Sequence, residues 1–176
     1  MWNAARRFLS GTFDEWPPLA PKVLRPKEYL FCGPLYQQEG CHLSKIRVLL
    51  ADNHALMLEY VRELLSADGC EVVGAVSDGQ AALDAAAKLR PDIVLLDVSM
   101  PVVNGIQAAW RLRKANPDAK IVFLTVDNDP DICRAALDTG ALGYVSKPRL
   151  GTDLIRAIKL ATSGSRFVSP GCKPNL

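Results

Sequence analysis

From Ile46 onward the chain alternates between two textures. Short, mostly apolar runs occupy residues 46–52 (IRVLLAD), 70–76 (CEVVGAV), 92–97 (DIVLLD), 120–126 (KIVFLTV) and 143–147 (GYVSK), and they read as strands. Helical spacing fills the intervals. Met57, Val61, Leu64 and Leu65 recur after the first run, and an Ala-rich stretch over 80–89 stops before Pro91. Residues 105–115 place Ile106, Ala109 and Trp110 on one face, and 131–139 end at Gly140. Residues 152–163 carry apolar Leu154, Ile155, Ile158 and Ala161 before Gly164. Strand and helix thus alternate five times. Runs that are apolar throughout, rather than at every second position, belong to strands covered on both faces. The pattern predicts an α/β, doubly wound sheet of five parallel strands, order 2-1-3-4-5, with five helices.

Residues 1–44 break this pattern. They hold Pro17, Pro18, Pro21, Pro26 and Pro34 and show neither period, so no regular element is expected between Trp16 and Pro34. Arg6 and Arg7 are not followed by the apolar core of a signal peptide. The expectation is a disordered extension, or residues added by a start codon set too far upstream. Residues 45–170 would form the domain and 171–176 a short tail.

Composition narrows the classes. The 176 residues suffice for one ordinary domain with appendages, and 49% are hydrophobic against 23% charged. A formal charge of +2 leaves no basic excess for a polyanion partner. No apolar run is long enough to span a bilayer, so no membrane role is expected. Cys32, Cys41, Cys70, Cys133 and Cys172 include no C-x-x-C pair, which fits free thiols in a reducing cytoplasm rather than a zinc site or disulfide framework. Neither a G-x-G-x-x-G after the first strand nor a P-loop occurs.

In open α/β sheets, ligands bind beyond the carboxyl ends of the strands. Here those ends carry Asp52-Asn53, Asp97, Thr125 and Lys147, on four different strands. Clustered oxygen donors suit Mg²⁺, which takes one or two carboxylates and keeps several waters. Lys147 offers a point charge for a phosphoryl group, and Thr125 a hydroxyl donor. A carboxylate beside a divalent cation can attack phosphorus and form an acyl phosphate.

Asp52-Asn53, the string D-V-S-M-P-V-V-N-G over 97–105, Thr125 and G-Y-V-S-K-P over 143–148 closely resemble the receiver domain of two-component response regulators. L-L-A-D-N-H-A (49–55), G-A-L-G-Y-V-S-K and the F-V-S-P ending resemble its NarL/LuxR-like subfamily. The resemblance implies a flavodoxin-like fold with Asp97 as phosphoacceptor. It implies that Asp52, Asn53, Asp97 and the backbone carbonyl of Ser99 hold Mg²⁺. Thr125 and Lys147 would bind phosphoryl oxygens, Tyr144 would be an aromatic switch coupled to Thr125, and Lys147–Pro148 would be cis.

Three departures accompany the resemblance. Asn53 stands where a second acid is usual, which predicts weaker metal binding. Val126 stands where a smaller residue is usual and would narrow access to the pocket. The subfamily continues into a helix-turn-helix, whereas this sequence ends at Leu176. His54 reads as a helix-start residue rather than a metal ligand, and Trp110 as helix packing. The implied function is a stand-alone phosphoacceptor served by a histidine kinase or phosphotransfer protein. It would signal to an output protein through the fourth helix, fifth strand and fifth helix, with a homodimer possible and no direct nucleic-acid contact. The alternatives are a truncated transcriptional regulator that dimerises with a full-length one, and a degenerate receiver that works without phosphorylation.

Overall fold

The computed structural model describes residues 45–126 and 129–172. The extension expected over 1–44, with Cys32 and Cys41, and tail residues 173–176 lie outside them. The strands are β1 (Arg47–Ala51), β2 (Glu71–Val76), β3 (Ile93–Asp97), β4 (Ile121–Thr125), β5 (Gly143–Ser146) and β6 (Phe167–Val168). The helices are α1 (Ala55–Ala67), α2 (Gly79–Leu89), α3 (Gly105–Ala115), α4 (Pro130–Asp138) and α5 (Leu150–Thr162). All six strands are parallel, in the order β2-β1-β3-β4-β5-β6.

The continuous apolar runs serve two cores at once, because successive side chains leave opposite faces of a strand. Leu49, Leu96, Phe123 and Tyr144 point to the face covered by α2, α3 and α4. Val48, Leu50, Leu95, Leu124 and Val145 point to the face covered by α1 and α5. Helix starts are fixed locally. The Asp78 and Asn104 side chains accept from Ala81 N–H and Gln107 N–H, each 2.9 Å, as N-caps of α2 and α3.

Three expectations are corrected. The sheet has six strands, not five, because Phe167 N–H donates to Leu142 (2.8 Å) and Ser169 N–H to Tyr144 (2.9 Å) along the edge of β5. Trp110 is 53% exposed. The buried stripe of α3 is Gly105, Ala108, Ala109 and Leu112, with spacing i, i+3, i+4, i+7, and Trp110 falls one step outside it. The Lys147–Pro148 bond is trans, since no cis peptide occurs among the described residues. Lys147–Arg149 form a single 3-10 turn that runs into α5. Pro148 starts that turn with its fixed φ, so the ordinary trans preference is kept.

Candidate functional site

The polar strand ends converge because of register. β1 and β3 are neighbours with Ala51 opposite Leu96, so Asp52 emerges beside Asp97. Asp97 lies opposite Leu124 and Thr125 opposite Ser146, which brings Thr125 and Lys147 to the same rim. The strand order reverses between β1 and β3, which opens the crevice. Gly105 closes its floor: a Cβ there would lie 2.0 Å from the carbonyl oxygen of Asp97, so only glycine lets α3 start this close to β3. Val102, in the loop between β3 and α3, has φ +64°, a left-handed conformation rare for a β-branched residue.

Asp52, Asp97, Thr125 and Lys147 are all buried. Lys147 Nζ stands 2.7 Å from Asp52 Oδ2 and 3.0 Å from Asp97 Oδ1, bridging the two carboxylates. Asp52 Oδ2 is buried without a directed hydrogen bond, so its contact with Lys147 is an ion pair of poor hydrogen-bond geometry. Two acids against one ammonium leave one negative charge in the pocket. Burial pushes the Asp97 carboxyl up from the ordinary range, Lys147 and the Ser99 N–H pull it back, and Asp52 repels its charge. A divalent cation is the natural remedy for two like charges held out of water.

The expected residues occupy unequal places. Asn53 and Ser99 are exposed beside the buried acids. Tyr144 is fully buried, its ring 6.5 Å from that of Phe123 and tilted at 52°. Val126 is exposed at the mouth. For His54 the sequence predicts a plain helix-start position. It does hold the N-cap position of α1, yet its side chain caps nothing. Instead its N–H donates to Asp52 Oδ1 (2.9 Å) and its Nδ1 lies 3.2 Å from the same oxygen. Donor atoms of Asp52, His54 and Asp97 fall within 4.8 Å of one another, so the residues fit a bound cation. Sequence reasoning also passed over Asp153 and Ser169. Ser169 Oγ donates to Asp153 Oδ2 (2.7 Å) and accepts from Ser146 N–H (3.2 Å), directly behind Lys147. Only the F-V-S-P string hinted at Ser169.

Two features stand apart from this chemistry. An apolar hollow of about 400 Å³ lies between α2 and α3 near the opposite end of the sheet, lined by Leu83, Ala86, Pro91, Val94 and Leu112 among others. Cys70, Cys133 and Cys172 are buried, and burial raises each thiol, Cys133 to about 11, which suits packing rather than reactivity.

The chain matches the response regulator receiver domain over residues 48–159. It is 37% identical to the response regulator GacA of Pseudomonas viridiflava over 126 residues, covering 71% of this chain and 59% of that protein. It is 35% identical to the nitrate/nitrite response regulator NarL of Escherichia coli over 130 residues, covering 73% and 60%. Among solved structures, it resembles a LuxR-family two-component response regulator from Aurantimonas sp. SI85-9A1, with TM-score 0.71, 31% identity, and 73% and 93% coverage. The chain therefore spans about three fifths of the length of these curated relatives. Among the described residues no helix is long and apolar enough to cross a membrane.

Proposed function

The chain belongs to the response regulator receiver domain family of two-component systems, and from that membership we propose that it takes a phosphoryl group onto Asp97. The donor is a histidine kinase or phosphotransfer protein. The observation that carries this reading is the Lys147 ammonium held between Asp52 and Asp97 in a buried pocket that keeps one negative charge. An Asp97 oxygen attacks phosphorus, the new O–P bond forms, and the P–N bond to the donor imidazole breaks. The imidazole leaves with the electron pair and takes a proton. Lys147 then pairs with the phosphoryl oxygens, and the Thr125 hydroxyl donates to one of them.

Asp52, Asp97, Asn53 and the Ser99 carbonyl are the proposed Mg²⁺ ligands. Mg²⁺ would neutralise charge between the attacking carboxylate and the incoming anion; at ~4 Å such a pair repels by about 4 kcal/mol at an effective dielectric near 20. Thr125 and Tyr144 are the proposed switch, both buried on adjacent strands, and α4, β5 and α5 form the output face for a partner protein or a second copy. Residues 45–170 carry 15 basic and 15 acidic residues, a balance that supports signalling through a partner over direct DNA contact by this domain. The greater length of the relatives, and the likeness to the response regulator RcsB solved in complex with DNA, favour one second reading, in which the receiver works with a DNA-binding half, its own or a partner's.

Incubation of the full chain with acetyl phosphate and Mg²⁺, read by intact mass, tests the proposal. One added phosphoryl group is expected, and none in Asp97→Ala. Labelling that persists in the Ala variant, or no labelling of the unaltered chain, would overturn it.

A further inference from the structure

We propose that His54 is a nitrogen ligand of the metal at this pocket, which biases the site toward first-row transition ions and away from Mg²⁺. The inference rests on the acidic-pocket reading above and specifies which cation that pocket prefers.

The geometry of one turn carries it. His54 N–H donates to Asp52 Oδ1 at 2.9 Å, which fixes the backbone of the two residues together. The His54 ring leans the same way, with Nδ1 3.2 Å from that oxygen. Two ligands bound at about 2.1 Å to one octahedral ion lie about 3.0 Å apart when adjacent and about 4.2 Å apart when opposite. The donors of Asp52, His54 and Asp97, none more than 4.8 Å from another, are therefore close to the spread that a single ion imposes. Asp52 supplies a second, independent observation. Its Oδ2 is buried in the pocket without a hydrogen bond, its charge met by an ill-directed Lys147 ammonium.

The chemistry of the donors sets the preference. A second acid after β1 would add a charged oxygen donor, which suits a hard cation. Here the neighbouring position is Asn53, an amide, and the following side chain with a strong donor is an imidazole. Imidazole nitrogen suits the first-row transition ions, least at Mn²⁺ and increasingly toward the later ones, whereas Mg²⁺ takes oxygen ligands. His54 can serve in this way by exchanging its 3.2 Å contact with Asp52 Oδ1 for the ion. Its side chain makes no cap to α1, and it is 69% exposed, so the ring can turn its nitrogen onto an ion without unpacking the core.

The test uses the full chain with Mn²⁺ and Mg²⁺ as probes. Electron spin-echo spectroscopy of the Mn²⁺-loaded protein should show a directly coordinated imidazole nitrogen, lost in His54→Ala. Calorimetric titration should show Mn²⁺ affinity falling about tenfold in His54→Ala, with Mg²⁺ affinity changed less than about twofold. Because the spectrum is read on the unaltered chain, the test does not depend on the variant folding. If both ions bind, no nitrogen coupling appears, and the two affinities fall together or not at all, His54 is not a ligand and this inference is overturned while the acidic pocket stands. If neither ion binds the unaltered chain, the pocket reading fails and takes this inference with it.

Discussion

Asp97 is held in a state that suits chemistry better than stability. Its carboxyl is raised by burial, which outweighs the opposing pull of Lys147, and Asp52 adds a smaller repulsion. A carboxyl raised in the folded state contributes stability that is complete below the ordinary carboxyl range. That contribution is lost as pH rises through the folded value, so at neutral pH the ionised Asp97 destabilises the domain. Asp97→Asn, a neutral isostere, should melt about 3 °C higher than the unaltered chain at pH 7.5 in chelator, the equivalent of roughly 1 kcal/mol for a domain of this size. The gap should shrink as pH falls toward 4. A lower melting point for the Asn variant, or a gap that ignores pH, would count against a destabilised Asp97. At this scale the sequence was legible where a polar residue ended an apolar run, as at Asp52, Asp97, Thr125 and Lys147. It was mute on His54, whose part depends on a side-chain rotation at a helix start. Tyr144 was legible only by resemblance; its complete burial follows from packing against Phe123, which no local pattern encodes.

The elements themselves were legible in type and order, with ends shifted by a residue or two. Strand β6 was not, because two residues cannot display a period, and its partner β5 is set only by tertiary contact. Helix α5 starts at Leu150 rather than Thr152 because the Lys147–Arg149 turn feeds straight into it. That junction matters for the site. Asp153 accepts from Arg149 Nε (2.9 Å) and from Ser169 Oγ (2.7 Å), and Ser169 in turn holds the Ser146 N–H beside Lys147. Arg149, then Ser169 and Thr152, lower the Asp153 carboxyl against the opposing effect of burial. A lowered carboxyl contributes stability above the ordinary carboxyl range and loses it as pH falls through the folded value. Asp153→Ala should cost about 2 kcal/mol in urea unfolding at pH 7, since it strands a buried hydroxyl. The difference from the unaltered chain should narrow on acidification below the ordinary carboxyl range. An unfolding midpoint unchanged at pH 7 would show that the junction does not bind β6 to the sheet.

For the whole molecule, the reversal of strand order between β1 and β3 brings together residues far apart in the chain. Asp52 and Lys147 stand 95 positions apart in sequence and meet at 2.7 Å. That convergence follows from topology alone once the strands are ordered, which is why the strand ends in the sequence already mark the pocket. The central claim is that this pocket makes Asp97 the nucleophile toward phosphorus. Borohydride trapping tests it most directly, because hydride cleaves an acyl phosphate and leaves homoserine at the modified position. The chain is treated with acetyl phosphate and Mg²⁺, reduced, digested and mapped by peptide mass spectrometry. Homoserine at position 97 alone is the predicted result. Homoserine at another Asp, a reduced alcohol side chain at a Glu, or no reduced residue in a chain that has gained a phosphoryl group would contradict the account.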